Sequence, residues 1–421
     1  QMNRQYYYLF GLSAILMLLA FCLESPQLLL DGMITILISP SQLFTDYMQI
    51  ASVGSTLLNV AIMLLINIYS YKKLEIPVNG TVIGSLGMLA GFSFFGKNLF
   101  NSIPFMLGVW IYAKVTKQNY RNYVIVGLFG SALGPLVSFL TFGGVLPSGF
   151  SILIAYVLGI FIGFILPQLS TQYLGFHQEF SLYNVGFTAG IVGMVVLGFL
   201  NAFGIEVETK ALANTESPFI LYGLLIGLCL ILLATSFYLH VQKKEKYHFK
   251  LLLKLSGRLP SDFVEMTNLA TVTFNMSIMG FILLGYVLLN GGQLNGPIVG
   301  SIIGAMSFGA FGNQVKNTVP VLVGIMIGCY LTGVDAASTS ALVAAIFGTT
   351  LAPVSGYYGP IAGMIAGFVH ITLVSHVVVM HAGLNLYNNG FAGGFVAAVL
   401  VPIFEIFEGI RQDIKERKAE G

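Results

Sequence analysis

The chain has 421 residues, of which 56% are hydrophobic and 9% charged, with a formal net charge of +2 and a mean hydropathy of +0.85. A soluble domain carries roughly 25% charged residues, so this composition excludes a water-solvated globular protein and makes lipid the solvent. It also lacks the basic, aromatic surface that nucleic acid would require. Cys22, Cys229 and Cys329 are scattered in apolar runs, which gives neither a disulfide framework nor a CxxC metal pair.

The apolar stretches are unbroken runs of Leu, Ile, Gly and Phe rather than ten-residue alternations, so helices are expected over a membrane β-barrel. In chain order the segments fall at about 6–23, 52–70, 79–95, 101–116, 122–143, 149–168, 184–203, 219–239, 267–289, 296–312, 318–333, 338–353, 358–375 and 383–404. Those at 79–95, 101–116, 296–312, 318–333 and 338–353 are short for a full crossing, which takes about 20 residues. The stretches Ser39 to Met48 and Leu259 to Met266 read as N-capped amphipathic helices at the interface. Asp46 and Glu265 are placed there as favourable charges at helix starts. Basic clusters at Lys72–Lys73, Lys114 to Arg121, Lys243 to Arg258 and Arg411 to Lys418 fall on one side together with Arg4, whereas Glu206 and Glu208 fall on the other. The positive-inside rule then puts both termini in the cytoplasm of a multi-pass inner-membrane protein.

One stretch is written twice. Asn79 to Gly108 aligns without a gap on Asn295 to Gly324 at an offset of 216, with ten identities that are mostly Gly, Asn, Ser and Pro. Asn59 pairs with Asn275 at the same offset. Phe129, Gly130, Leu133 and Pro135 match Phe347, Gly348, Leu351 and Pro353, and His177 with Leu182-Tyr183-Asn184 matches His381 with Leu386-Tyr387-Asn388. Residues 1–210 and 211–421 therefore read as two repeats of seven segments each. Because seven is odd, the second enters the membrane upside down, an inverted-topology repeat. The expected fold is an all-α integral membrane protein with paired broken or re-entrant helices.

The duplicated stretch ends in a polar tip in each half, Gly96-Lys97-Asn98 through Asn101-Ser102 and Gly312-Asn313 through Lys316-Asn317-Thr318. Asn with Ser or Thr just before Pro104 or Pro320 suits an N-cap, and free N–H groups there attract anions or carbonyls. If the tips meet inside the bilayer, Asn98, Asn101, Ser102, Asn313, Asn317 and Thr318 are the solute ligands, and Lys97 and Lys316 favour an anionic solute. If the segments cross fully, the tips are ordinary loops. Gly96, Gly312, Asn184, Asn388, His177 and His381 are the further candidates for lining the path or coupling an ion. Interfacial histidines bonded to backbone are the plainer reading of His177 and His381.

The whole chain resembles an uncharacterised family of bacterial polytopic membrane proteins, a domain-of-unknown-function family defined by this duplication. The tips Asn101-Ser102 and Asn317-Thr318 are similar to the Ser-Asn-Thr tips of Na⁺-coupled dicarboxylate transporters with re-entrant hairpins, where they bind Na⁺ and carboxylates; Phe100 and Lys316 stand where that motif has Ser. The Leu-Tyr-Asn runs also look like the Tyr-Asn region of urea channels. With no GxSxG, HExxH or Walker A stretch, an enzyme is not expected. The expectation is a secondary transporter of a small polar, anionic organic solute, driven by Na⁺ or H⁺, with no cofactor beyond Na⁺. Lipid and a second copy of the chain are its expected partners. A urea-channel-like facilitator and a membrane-embedded enzyme or lipid scaffold are the alternatives.

Overall fold

A chain dissolved in lipid must satisfy its backbone within itself, and this one does so almost wholly with helices. The computed structural model describes residues 2–43, 45–209 and 219–420. Its helices are α1 (Met2–Leu23), α2 (Pro26–Ile38), α3 (Tyr47–Ile50), α4 (Val53–Lys73), α5 (Gly80–Phe92), α6 (Leu99–Val115), α7 (Val124–Gly130), α8 (Gly134–Phe142), α9 (Ser151–Tyr173) and α10 (Asn184–Ala202). They continue with α11 (Phe219–Gln242), α12 (Phe249–Leu252), α13 (Phe263–Met266), α14 (Leu269–Leu289), α15 (Gly296–Ser307), α16 (Val315–Thr332), α17 (Thr339–Gly348), α18 (Ala352–Tyr358), α19 (Pro360–His381) and α20 (Asn388–Glu420). Among the described residues 11 helices are long and apolar enough to cross a membrane, counting α7–α8 and α17–α18 as one each. No strand forms among them; a single antiparallel bridge joins Asp46 to Phe95.

Every expected apolar segment is a helix. The differences lie between them. Pro26–Ile38 forms a helix that hydropathy alone does not flag, started by the Ser25 side chain and a proline in its first turn. The two expected interfacial helices shrink to the single turns α3 and α13, capped by Asp46 and Asp262. Offset counting pairs Asp46 with Asp262, so Glu265 is not its equivalent. The expected boundary between repeats at 210/211 lies outside the described residues.

Two spans are interrupted at matching places. A 3-10 turn at Ser131–Leu133 separates α7 from α8, and one at Thr349–Leu351 separates α17 from α18. Each break is followed by a proline in the next helix's first turn, Pro135 or Pro353, which removes a helical donor.

The helices α5 and α15, 13 and 12 residues long, extend only about 20 Å against a hydrocarbon core of about 30 Å. They pack on each other through glycines. An added Cβ at Gly91 would lie 2.2 Å from the Gly300 carbonyl oxygen, and the converse contact is also 2.2 Å, while Gly80 abuts Ala310 and Phe311. Contacts that climb one helix as they descend the other mean that α5 and α15 run in opposite senses. At the far end of the chain's two halves, Gly190 abuts Phe391 and Gly394 abuts Phe187, so α10 and α20 meet through equivalent residues as well.

Candidate functional site

The tips are built from amides. In the first half, Asn98 and Asn101 form a reciprocal capping box at the start of α6; in the second, Gln314 and Asn317 do the same for α16. Asn101 Nδ2 donates to the Gly96 carbonyl at 2.8 Å and to Ser138 Oγ at 2.9 Å. Asn317 Nδ2 donates to the Gly312 carbonyl at 2.8 Å and to the Ser256 carbonyl at 3.0 Å. A third amide clamps each tip from a neighbouring helix. Asn59 Nδ2 donates to the carbonyls of Ser93 and Lys97, and Asn275 Nδ2 to those of Gly309 and Asn313. These donors and acceptors match at a constant offset of 216.

The acids tie the halves together. Gly80 N–H donates to both Asp262 carboxylate oxygens at 3.0 and 2.8 Å, and Gly296 N–H donates to Asp46 Oδ2 at 3.1 Å. Each aspartate thus caps its own single turn and also the short helix of the opposite half, where the N-terminal dipole favours a carboxylate.

Between the tips lies an aromatic floor. Tyr183 stacks near Phe308 at 4.4 Å between centroids, and Tyr387 near Phe92 at 4.8 Å. Tyr183 and Tyr387 are buried and their hydroxyls have no hydrogen-bond partner. Both line a cavity of about 720 Å³ that opens outward past Asn79, Thr81, Ile125, Phe129, Asn184, Ser261, Asp262 and Glu265. That volume suits a small organic ligand. The cavity wall carries the carboxylates of Glu179, Asp262 and Glu265 and no lysine or arginine. Glu179 is balanced by Arg258, whose Nε lies 3.7 Å away.

The equivalent positions on the other side are closed. Thr81, Ile125, Phe129, Asn184, Val185 and Asp262 are half-buried, whereas their counterparts Pro297, Val343, Phe347, Asn388, Asn389 and Asp46 are all buried. One side of the molecule therefore presents an open vestibule and the other a packed plug built from matching residues.

Most of the expected ligands sit elsewhere than in the cavity wall. Asn98, Asn101, Ser102, Asn313, Asn317 and Thr318 are buried within the tips, where the first two and Asn317 serve the backbone; Ser102 and Thr318 hydroxyls approach the adjacent Asn101 and Asn317 carboxamides. Gly96 (φ +93°) allows the sharp turn that no side chain would favour. Gly312 needs no such φ, and an added Cβ would strike Leu182. The two lysines are not a pair. Lys97 is fully buried, and Lys316 is exposed; the partner of Lys97 is Asn313 and that of Lys316 is Phe100. The expectation of two converging cations is thereby corrected. His177 and His381 are buried and bonded to backbone, His177 Nδ1 accepting from the Ser181 N–H at 3.4 Å and His381 Nε2 lying 2.8 Å from the Gly190 carbonyl, and each also meets its neighbouring amide, Asn184 Oδ1 at 3.0 Å and Asn388 Oδ1 at 2.7 Å. They brace the entries to α10 and α20. Of the candidates, Asn184 alone lines the cavity.

The tyrosines, the cross-capping aspartates and the clamping asparagines were not singled out from the sequence as site residues. The signal was present, since Tyr183/Tyr387 and Asn59/Asn275 recur between halves. The clamps have a direct test. Asn59→Ala and Asn275→Ala each strip two buried carbonyls of their donor, and a buried unsatisfied group costs about 1–3 kcal/mol. Both variants should melt several degrees below the wild type in detergent.

A family model described as a protein of unknown function, DUF1576, matches residues 25–202 and 241–406. The two matched segments begin one repeat offset apart. The chain belongs to this family. No curated protein and no solved structure matches it.

Proposed function

We propose that this family member is a membrane transporter that moves a small organic solute by alternating access, its two halves exchanging open and sealed forms about the aromatic floor. The observation that carries the reading is the open vestibule facing a plug of equivalent residues. In an inverted repeat, the exchange of the two conformations opens the site to the opposite side. A passive channel needs a continuous path, and the buried plug over Phe347, Asn388 and Asn389 argues against one.

We read the membrane placement from charge and packing together. Asn295 Nδ2, at the start of α15, donates to Thr339 Oγ1, at the start of α17, at 2.9 Å. The intervening pair α15–α16 therefore returns to the level at which it began, as a pair of full crossings would too; because α15 has only 12 residues, we read the pair, and α5–α6 likewise, as a hairpin that enters and leaves the bilayer on one face. With five crossings and one hairpin per half, Lys72, Lys114, Arg121, Lys250 and Arg258 share a side. By the positive-inside rule this is the cytoplasmic side, so the vestibule faces the cytoplasm. The wall's carboxylates and the two free tyrosine hydroxyls favour an uncharged or cationic solute with an apolar body, in place of the anion expected from the sequence.

Cysteine accessibility tests this. In a background with Cys22, Cys229 and Cys329 changed to serine, Ile125→Cys should react with a membrane-impermeant maleimide from the cytoplasmic face, while its equivalent Val343→Cys stays protected. Conditions that shift the protein to the other state should reverse the two. Equal labelling of both, or labelling of both from one face, refutes the exchange.

A further inference from the structure

The halves differ at one equivalent pair in a way that identifies an ion. Lys97 in the first tip corresponds to Asn313 in the second. Their backbones are held alike, since Asn59 and Asn275 donate to the carbonyls of Lys97 and Asn313 at 3.1 and 2.8 Å. Their side chains reach the same feature, the break in the broken span. Lys97 Nζ donates to the Leu128 carbonyl at 3.2 Å, an oxygen that also accepts from Ser131 Oγ. Asn313 Nδ2 donates to Thr349 Oγ1 at 3.2 Å, and that hydroxyl in turn donates to the Ile346 carbonyl. Leu128 and Ile346 are themselves equivalents. The Lys97 ammonium lies 5.8 Å from the centroid of Phe92 and 5.9 Å from that of Tyr387. The matching rings in the second half are Phe308 and Tyr183.

The first half thus sets a lysine amine against its aromatic floor, and the second half sets an uncharged amide at the equivalent place. What the second half has instead are two fully buried side-chain oxygens without partners, Asn275 Oδ1 and Asn313 Oδ1. Buried carboxamide oxygens ordinarily find donors. Here Asn275 turns its nitrogen to two backbone carbonyls and Asn313 turns its nitrogen to Thr349, which leaves both oxygens without a donor.

We infer that Asn275 and Asn313 form the core of a Na⁺ site in the second half, at the tip position where the first half places Lys97. Neutral amide oxygens with no carboxylate suit a hard monovalent ion; Ca²⁺ and Mg²⁺ take carboxylates. Asn313 reaches Thr349, and the next residue, Thr350, accepts from the Tyr183 N–H at 3.2 Å, so the ion would adjoin the segment that carries the vestibule floor. That placement couples its presence to the packing of Tyr183.

The inference rests on the equivalence of the halves and not on the transport reading, and a binding measurement separates the two. Purified protein in detergent is melted in NaCl, KCl or choline chloride at equal ionic strength. Na⁺ should raise the midpoint by several degrees in a saturable way, as any ligand of the folded state does, with K⁺ and choline inactive. Asn313→Lys should melt higher than the wild type in choline and lose the Na⁺ response. Asn313→Leu, which removes the oxygen and supplies no charge, should lose the response without the gain. Lys97→Asn should depend on Na⁺ more steeply, having two such positions. A wild type equally stable in Na⁺ and choline overturns the site, and so does an Asn313→Leu protein that keeps the full Na⁺ shift. Na⁺ binding with no solute flux would leave this site standing while defeating the transporter.

Discussion

Gly91→Val and Gly300→Val should each yield little folded protein, and Gly91→Ala should melt far below the wild type. The reason is that the walls of the α5–α15 contact are main chain. A Cβ at either glycine would stand 2.2 Å from the carbonyl oxygen of the other, and a carbonyl in a buried helix cannot rotate away as a side chain does. Overpacking a core usually costs about 1–3 kcal/mol, more where the backbone must shift, and here the two short helices would have to separate along their whole contact. The clash would also disturb the neighbouring Ser307 Oγ bond to the Gly84 carbonyl. Gly285→Ala is the control. A Cβ there meets nothing within 4 Å, so the exchange should leave the midpoint unchanged or raise it by the helix-propensity difference, about 0.5–1 kcal/mol. Thermal melting and size-exclusion profiles of the purified variants separate these outcomes. If Gly91→Ala melts with the wild type, the close crossing of the two halves is wrong.

The second large effect is expected at the cross-capping aspartates, and it should be unequal. Asp46 is fully buried and accepts from Met48 N–H at 2.9 Å and Gly296 N–H at 3.1 Å. Asp46→Ala leaves at least two buried donors unsatisfied, at about 1–3 kcal/mol each, and removes the negative charge from a helix N-terminus. Asp262 makes the same type of bonds but is half-buried at the vestibule wall, where water replaces part of what is lost. Asp262→Ala should therefore lower the midpoint by clearly less than Asp46→Ala. It should also loosen the vestibule end of α5, exposing an engineered Thr81→Cys to faster labelling. Equal midpoints for the two alanine variants would show that the sealed and open sides do not differ in solvation, which removes the basis of the proposed exchange.

Helix existence was legible because a lipid-embedded segment announces itself by length and apolarity alone, and all the expected segments form. The short partners 79–95 and 296–312 were recognisable as short, and their helices are 13 and 12 residues long. The breaks at Ser131–Leu133 and Thr349–Leu351 were hidden inside continuous apolar runs, since hydropathy does not register an unwound turn whose polar groups are met by neighbours. Pro26–Ile38 escaped for the related reason that it is only 13 residues long. Glu265 was preferred to Asp262 because either acid lies near the helix start, and only hydrogen-bond geometry shows which one reaches Gly80.

By itself the sequence determined the solvent of this protein, its helical class and the twofold recurrence of its residues, because hydropathy and an offset of 216 are properties of order along the chain. The tertiary structure alone decided which recurring residues face a cavity and which serve the backbone. Asn101 and Asn317 were conspicuous as polar residues in an apolar chain, and they are consumed by tip carbonyls. Tyr183 and Tyr387 stood out only as part of a repeated Leu-Tyr-Asn run, and their hydroxyls are left without partners. Likewise Lys97 and Lys316 look alike in the sequence, yet one is buried and the other exposed. Whether a polar group satisfies its own fold or is left for a ligand depends on what stands opposite it in space, and that is set by helix packing rather than by sequence position.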